Sequence, residues 1–231
     1  TKVFYYILKY VFLWLPLRLT FRPWTKGKRN IPKTGGLIFA PNHNSFIDSI
    51  FLPLVVKRRI TFLAKIDYWL GPGIKGFISK LFFTGVGQVP IDRAGGSAAE
   101  AALRTAIDIL NRGEALGIYP EGTRSPDGRL YRGRTGVARM ALEARVPVIP
   151  VAMIGTYELQ PADRMFPKVG RVGIIFGEPL DFSEHYGDAR NAETLRKVTN
   201  QIMEAIRELS GQEYVDIYAS AAKEALKERE D

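Results

Sequence analysis

Short apolar runs that end in proline, glycine or a polar cluster recur along this chain with helical stretches between them, and that alternation restricts its fold more than any other feature. Leu37 to Ala40 reads as a short buried strand entered from the Gly35-Gly36 loop, and Ile60 to Ala64, Leu116 to Tyr119, Val148 to Ala152 and Val172 to Phe176 read as further strands. Ser97 to Leu110 has the pattern of a helix, with Ser97-x-x-Glu100 as a capping box, apolar residues at helical spacing and Gly113 just past the end. Gly136 to Ala144 reads as another, and the charged, alanine-rich stretch over 192–230 as two more divided near Gly211. Such an order predicts an α/β fold with a mostly parallel or mixed central sheet flanked by helices. At 231 residues and 46% hydrophobic content the chain is long enough for one domain with a large core, and no repeat or linker divides it.

Charge is distributed unevenly. Residues 1–100 hold 15 Lys+Arg against 4 Asp+Glu, a balance of +11, whereas 101–231 hold 18 against 20, a balance of −2. Such asymmetry points to an anionic partner, either nucleic acid or an acidic membrane surface. The first 24 residues, TKVFYYILKYVFLWLPLRLTFRPW, combine aromatic and aliphatic side chains with Lys9, Arg18 and Arg22, and Pro16 interrupts them. The longest uncharged run, Tyr10 to Leu17, is far shorter than the roughly 20 residues a spanning helix needs, so the segment reads as an interfacial helix, with packing into the core as the alternative. The charge within it and the lack of a small-residue cleavage site argue against a secretory signal peptide. The expected division is therefore 1–24 as a membrane-interfacial segment and 25–231 as the main domain, its part from about 192 to 230 helical. The chain has no cysteine, which removes disulfides, thiolate metal ligands and thiol nucleophiles, and its two histidines are too few for a histidine-rich metal site.

Asn42-His43-Asn44-Ser45-Phe46-Ile47-Asp48 follows the first buried strand, so His43 should stand at a strand's carboxyl end, where open α/β sheets bind ligands. A carboxylate that takes the Nδ1 proton of an imidazole leaves Nε2 as a general base for a hydroxyl. Asp48 has a second reading, because Ser45-x-x-Asp48 resembles a capping box in which Asn44 or Ser45 caps the helix and the acid serves its first turn. Val89-Pro90-Ile91-Asp92-Arg93, Tyr119-Pro120-Glu121-Gly122-Thr123-Arg124-Ser125 and Pro147-Val148-Ile149-Pro150 also close expected strands. Arg93 and Arg124 offer planar guanidinium groups for a phosphate, Glu121 an acceptor for a second substrate hydroxyl, and Gly122 room for close backbone approach. Taken separately, Arg93 pairing with Asp92 and a merely polar turn at Pro120 to Ser125 are equally open.

In order and spacing these segments resemble the 1-acylglycerol-3-phosphate acyltransferases, the PlsC-like glycerolipid family. NHNSFID is similar to that family's His-x4-Asp block, VPIDR to its second through Arg93, YPEGTRS to its third, and VPVIPV, Val146 to Val151, to its hydrophobic proline block. The resemblance runs from about Asn30 to Pro179. Pro90 departs from the aromatic residue often found in the second block, and residues 1–24 and 180–231 match no block. What the resemblance implies is transfer of a fatty acyl group from acyl-CoA or acyl carrier protein to the hydroxyl of lysophosphatidic acid. His43 and Asp48 would be the base and its orienting acid, and Lys65, Arg93, Glu121, Gly122, Thr123, Arg124 and Pro150 substrate-binding residues. It implies no metal and no cofactor beyond the thioester co-substrate, and a protein at the cytoplasmic face of the cell membrane. Backbone amides near the His43 turn are candidates to stabilise the oxyanion. Lys57, Arg58, Arg59, Lys75 and Lys80 are expected to meet anionic headgroups or the carrier's phosphates, and Tyr68 to Phe83 to line an apolar groove.

Other readings make different demands. A hydrolase would need a nucleophile, and the chain has neither a Gly-x-Ser-x-Gly elbow nor a cysteine. A basic binding module fits the charge, although no nucleic-acid motif is present and no nucleic-acid partner is expected. Within the family, glycerol-3-phosphate, another lysophospholipid or a glycolipid are the alternative acceptors.

Overall fold

A computed structural model describes residues 14–65, 88–91, 96–161 and 163–230. Their order is α1 (Trp14–Phe21), β1 (Trp24–Lys26), β2 (Leu37–Pro41), α2 (Asp48–Val55), β3 (Ile60–Lys65), β4 (Gln88–Ile91), α3 (Gly96–Asn111), β5 (Ala115–Gly117), β6 (Leu130–Tyr131), α4 (Gly136–Ala144), β7 (Val148–Ile154), α5 (Thr156–Leu159), β8 (Gly173–Phe176), α6 (Ala192–Ser210), β9 (Tyr214–Val215) and α7 (Ala219–Glu230). Seven strands form one sheet in the order β1-β8-β7-β2-β5-β3-β4, and β6 pairs with β9 beside it. β7, β2, β5, β3 and β4 are parallel. The sheet is mixed because β8 joins β7 antiparallel and carries β1 parallel to itself.

β2 shows why an uninterrupted apolar run forms a strand here. Leu37 and Phe39 face one core with Phe51 and Leu52 of α2, while Ile38 and Ala40 face a second core built with Leu103 and Leu110 of α3, Leu142 of α4 and Ile202 of α6. A strand covered on both sides has no polar face to alternate. The helices follow their caps. Asn191 accepts from the N–H groups of Glu193 and Thr194 to start α6, and Gly211 ends it in the left-handed conformation (φ 68°).

Several expectations change. The strand read through Tyr119 ends at Gly117, because Tyr119 opens a turn closed by the Gly122 N–H on its carbonyl at 3.0 Å. The described end of the N-terminal segment packs on the sheet: Phe21 of α1 is buried and meets Phe51 edge-on at 5.2 Å, and Trp24 opens β1. Arg58 is no headgroup ligand. It donates to the carbonyls of Pro32, Gly35 and Gly113, closing the loops that enter β2 and β5 at the sheet's amino edge. Lys75, Lys80 and the Tyr68 to Phe83 groove lie outside the described residues.

Candidate active site

His43 follows β2, Tyr119 to Ser125 follow β5, and β3 and β4 end at Lys65 and Ile91, so the sequence blocks meet along the carboxyl edge of the parallel strands. The first and third blocks are joined through the backbone of His43. Its N–H donates to Glu121 Oε1 at 2.8 Å, and its carbonyl accepts from the Ser125 N–H at 2.7 Å. The imidazole stacks on the Tyr119 ring, 3.7 Å between centroids and 15° from parallel, and the Tyr119 hydroxyl shares a 2.8 Å hydrogen bond with Ser49.

Asp48 combines the two roles open to it. Its Oδ2 lies 3.1 Å from His43 Nδ1 and accepts from the N–H groups of Asn44 at 2.8 Å and Ser45 at 2.7 Å. An oxygen so surrounded acts as acceptor, which puts the His43 proton on Nδ1 and leaves Nε2 basic. Asp48 is fully buried, and its Oδ1 takes no hydrogen bond among the described residues. The expected side-chain cap is absent: α2 starts at Asp48 after Ile47, Asn44 and Ser45 being engaged elsewhere. Ser45 Oγ donates to Gln160 at 3.0 Å. The amides of His43, Asn44 and Ser45 all serve carboxylates, so these three are not the oxyanion donors expected at this turn.

Burial, more than charge, favours the neutral imidazole. Burial pushes the His43 pKa below its ordinary 6.5, Asp48 opposes that through its hydrogen bond and charge, and Arg124 and Lys223 push it down further. Its side chain remains 16% exposed. A neutral imidazole with a basic Nε2 is what deprotonation of a hydroxyl requires.

The third block divides its labour differently from expectation. Glu121 is 1% exposed, and its oxygens accept from the N–H of His43 and from that of Tyr131 at 2.9 Å. It is a strut tying the His43 turn to β6, rather than a carboxylate open to a second substrate hydroxyl. Burial raises its pKa to about 8, against the opposing effect of those two amides. Gly122 takes φ 76°, and a Cβ there would press on the Arg134 side chain at 3.0 Å. Thr123 Oγ1 accepts from Lys223 Nζ at 2.8 Å, and half-buried Arg124 acts electrostatically on His43. Pro150 is buried inside β7 opposite Ala40, its carbonyl accepting from the Gly177 N–H at 2.9 Å, which makes it a strand position. The backbone of Lys65 ends β3 on the same edge, and Arg93 lies outside the described residues.

Sequence reading missed the groups supplied from the far end of the chain. Gln212, just past α6, accepts from Asn42 Nδ2 at 2.6 Å and donates to Asn44 Oδ1 at 3.0 Å, clamping both neighbours of His43. Asn42 is also paired with the Met153 backbone in both directions. Tyr119, Gln160 and Lys223 complete the surroundings. No spacing in the sequence marks Gln212 or Lys223.

The acyltransferase family profile matches residues 23–154, more than half of the chain, spanning the site through β7 but neither Gln212 nor Lys223. A 1-acyl-sn-glycerol-3-phosphate acyltransferase of Bacillus subtilis is 29% identical over 184 residues, covering 79% of this chain and 85% of its own. One from Chlamydomonas reinhardtii is 31% identical over 67% of this chain, which spans only 45% of that longer protein. The crystal structure of the 1-acyl-sn-glycerophosphate acyltransferase PlsC from Thermotoga maritima superposes with a TM-score of 0.66 at 31% identity, over 90% of this chain and 77% of that one. Profile, relatives and fold agree with the site geometry: this chain belongs to the acyltransferase family as a PlsC-like member.

Proposed function

We propose that the protein transfers a fatty acyl group from acyl-CoA or acyl carrier protein to the free hydroxyl of lysophosphatidic acid, giving phosphatidic acid. His43 Nε2 takes the hydroxyl proton as that oxygen attacks the thioester carbonyl. The tetrahedral intermediate then collapses with cleavage of the C–S bond, and the imidazolium returns its proton to the departing sulfur. Asp48 holds the imidazole through Nδ1 and stabilises its cationic form. Lys65, Arg93 and Arg124 supply positive charge for the acceptor's phosphate, and the chemistry asks for no metal or further cofactor. The observation that carries this reading is the His43–Asp48 pair on the carboxyl edge, with a neutral imidazole and Arg124 beside it.

The reaction belongs at the cytoplasmic face of the membrane, where its lipid acceptor resides. Apolar side chains gather on the active-site edge: Leu15 and Leu19 of α1, and Met165 (80% exposed), Phe166 (76%) and Val169 (76%) of the loop between α5 and β8. The Val172 N–H on the Phe21 carbonyl ties that loop to α1, and Arg18, Arg22, Arg164, Lys168 and Arg171 accompany the apolar residues. Exposed apolar groups with basic neighbours suit an anionic bilayer. Among the described residues no helix is long and apolar enough to cross a membrane.

The test is thiol release from acyl-CoA by purified protein given lysophosphatidic acid. His43→Ala should reduce the rate by about 10² to 10⁴, and release that persisted in the variant would sink the mechanism. A panel of glycerol-3-phosphate, lysophospholipids and glycolipids, with products identified by mass spectrometry, reads out any other preferred acceptor.

A further inference from the structure

α7 carries a lysine into the active site. Ala219 and Ala222 are buried against the fully buried Tyr131, and Arg134 fixes the approach by stacking on Tyr218 at 4.9 Å and donating to Ser220 at 3.1 Å. Arg196 holds the same segment through the Gly133 carbonyl and the Tyr218 hydroxyl. Lys223, one turn after Ala219, therefore projects over the third block, where its Nζ donates to Thr123 Oγ1.

This placement brings like charges together. Lys223 and Arg124 act on each other and both on His43, while the Arg124 guanidinium has no hydrogen-bond or ion-pair partner among the described residues. Burial first, and then Arg124, hold the Lys223 ammonium below the usual lysine range. The Glu121 carboxylate opposes that shift but is itself pushed towards its neutral form by burial. Two partly buried cations that repel each other are costly until an anion lies between them.

We propose that Lys223 is a binding residue for the phosphate of the acceptor, closing from the C-terminal helix a cradle formed with Arg124 and the Thr123 hydroxyl. The inference rests on the lysophosphatidic acid reading and names a ligand residue that lies outside the family-matched stretch. Chemistry separates the two possible sources of phosphate. In lysophosphatidic acid acylated at one end of the glycerol, the phosphate sits on the carbon next to that bearing the central hydroxyl. The phosphates of a coenzyme A thioester lie beyond the whole pantetheine arm, far from the reacting carbonyl. A phosphate within reach of Lys223, Arg124 and His43 together is the acceptor's.

The experiment compares wild type, Lys223→Met and Lys223→Arg, varying lysophosphatidic acid and acyl-CoA separately. Methionine keeps the apolar stem and removes the charge, so the KM for lysophosphatidic acid should rise roughly tenfold. The value for acyl-CoA and kcat should both hold within about twofold, and arginine should restore most of the affinity. An unchanged acceptor KM in a variant that melts with wild type overturns the proposal, as does a rise confined to acyl-CoA or a loss of kcat alone. Wild-type protein that acylated no lysophosphatidic acid would overturn the functional reading itself, a result separate from any difference among the variants.

Discussion

His43 depends on residues that hold its backbone and its ring by different means, and two of them give pH signatures. The acid limb of kcat/KM should have its midpoint below the ordinary histidine value of 6.5, because burial is the largest influence on this imidazole. Asp48→Asn removes a group that raises that pKa as well as one that orients the ring. Activity should fall by about 10² to 10⁴, and the acid limb of what remains should move to still lower pH; movement upward would contradict the assigned coupling. Glu121 titrates in the opposite sense from a typical surface carboxylate. Its native pKa of about 8, against an ordinary 4.5, means the folded chain keeps a proton that the unfolded chain releases. Its contribution to stability is therefore full below about pH 4.5 and declines as pH rises towards about 8. Glu121→Gln does not titrate, so its melting temperature relative to wild type should climb between pH about 5 and about 8. A constant difference across that range would show that the carboxyl is ionised in the native protein.

At the level of elements, the antiparallel entry of β8 brings the exposed apolar loop and the His43 turn to one edge. Pairing of Ile154 with Gly173 puts the loop between α5 and β8 at the carboxyl end of β7, and pairing of Trp24 with Gly173 places the end of α1 there too. Gln160, at the start of the loop, bonds to Ser45 inside the His43 turn. Burying an apolar side chain contributes about 1.5 to 3 kcal/mol, so Met165→Asp with Phe166→Asp should weaken co-sedimentation with anionic vesicles by roughly tenfold or more. The fold should be little affected, since both side chains are exposed. Unchanged vesicle binding would remove this loop from the membrane contact. Most elements were legible beforehand: α4 was expected at its observed span, and the division of the C-terminal helices at Gly211 was marked by that glycine. β1 was hidden in the aromatic N-terminal stretch, because a three-residue edge strand has no periodicity to read.

Across the whole molecule, what a sequence can show depends on how far apart the interacting residues lie. The strands and helices follow from local composition, and the His43–Asp48 pair spans only five residues, so its chemistry could be proposed from spacing alone. Order along the chain then identified the third block with Arg124, although it could not separate substrate ligands from structural struts. Glu121 reaches the His43 amide across 78 residues, Lys223 reaches Thr123 across 100, and Gln212 reaches Asn44 across 168. No sequence spacing encodes such contacts; they exist because β2 and β5 are neighbours in the sheet and the C-terminal segment returns over their carboxyl edge. The sequence by itself determined most of the elements, the close spacing of His43 and Asp48, and the family. Only the tertiary structure decided that Glu121 is a buried strut, that Arg58 serves loops at the opposite edge, and that a C-terminal lysine joins the site, because burial and convergence are properties of the assembled sheet.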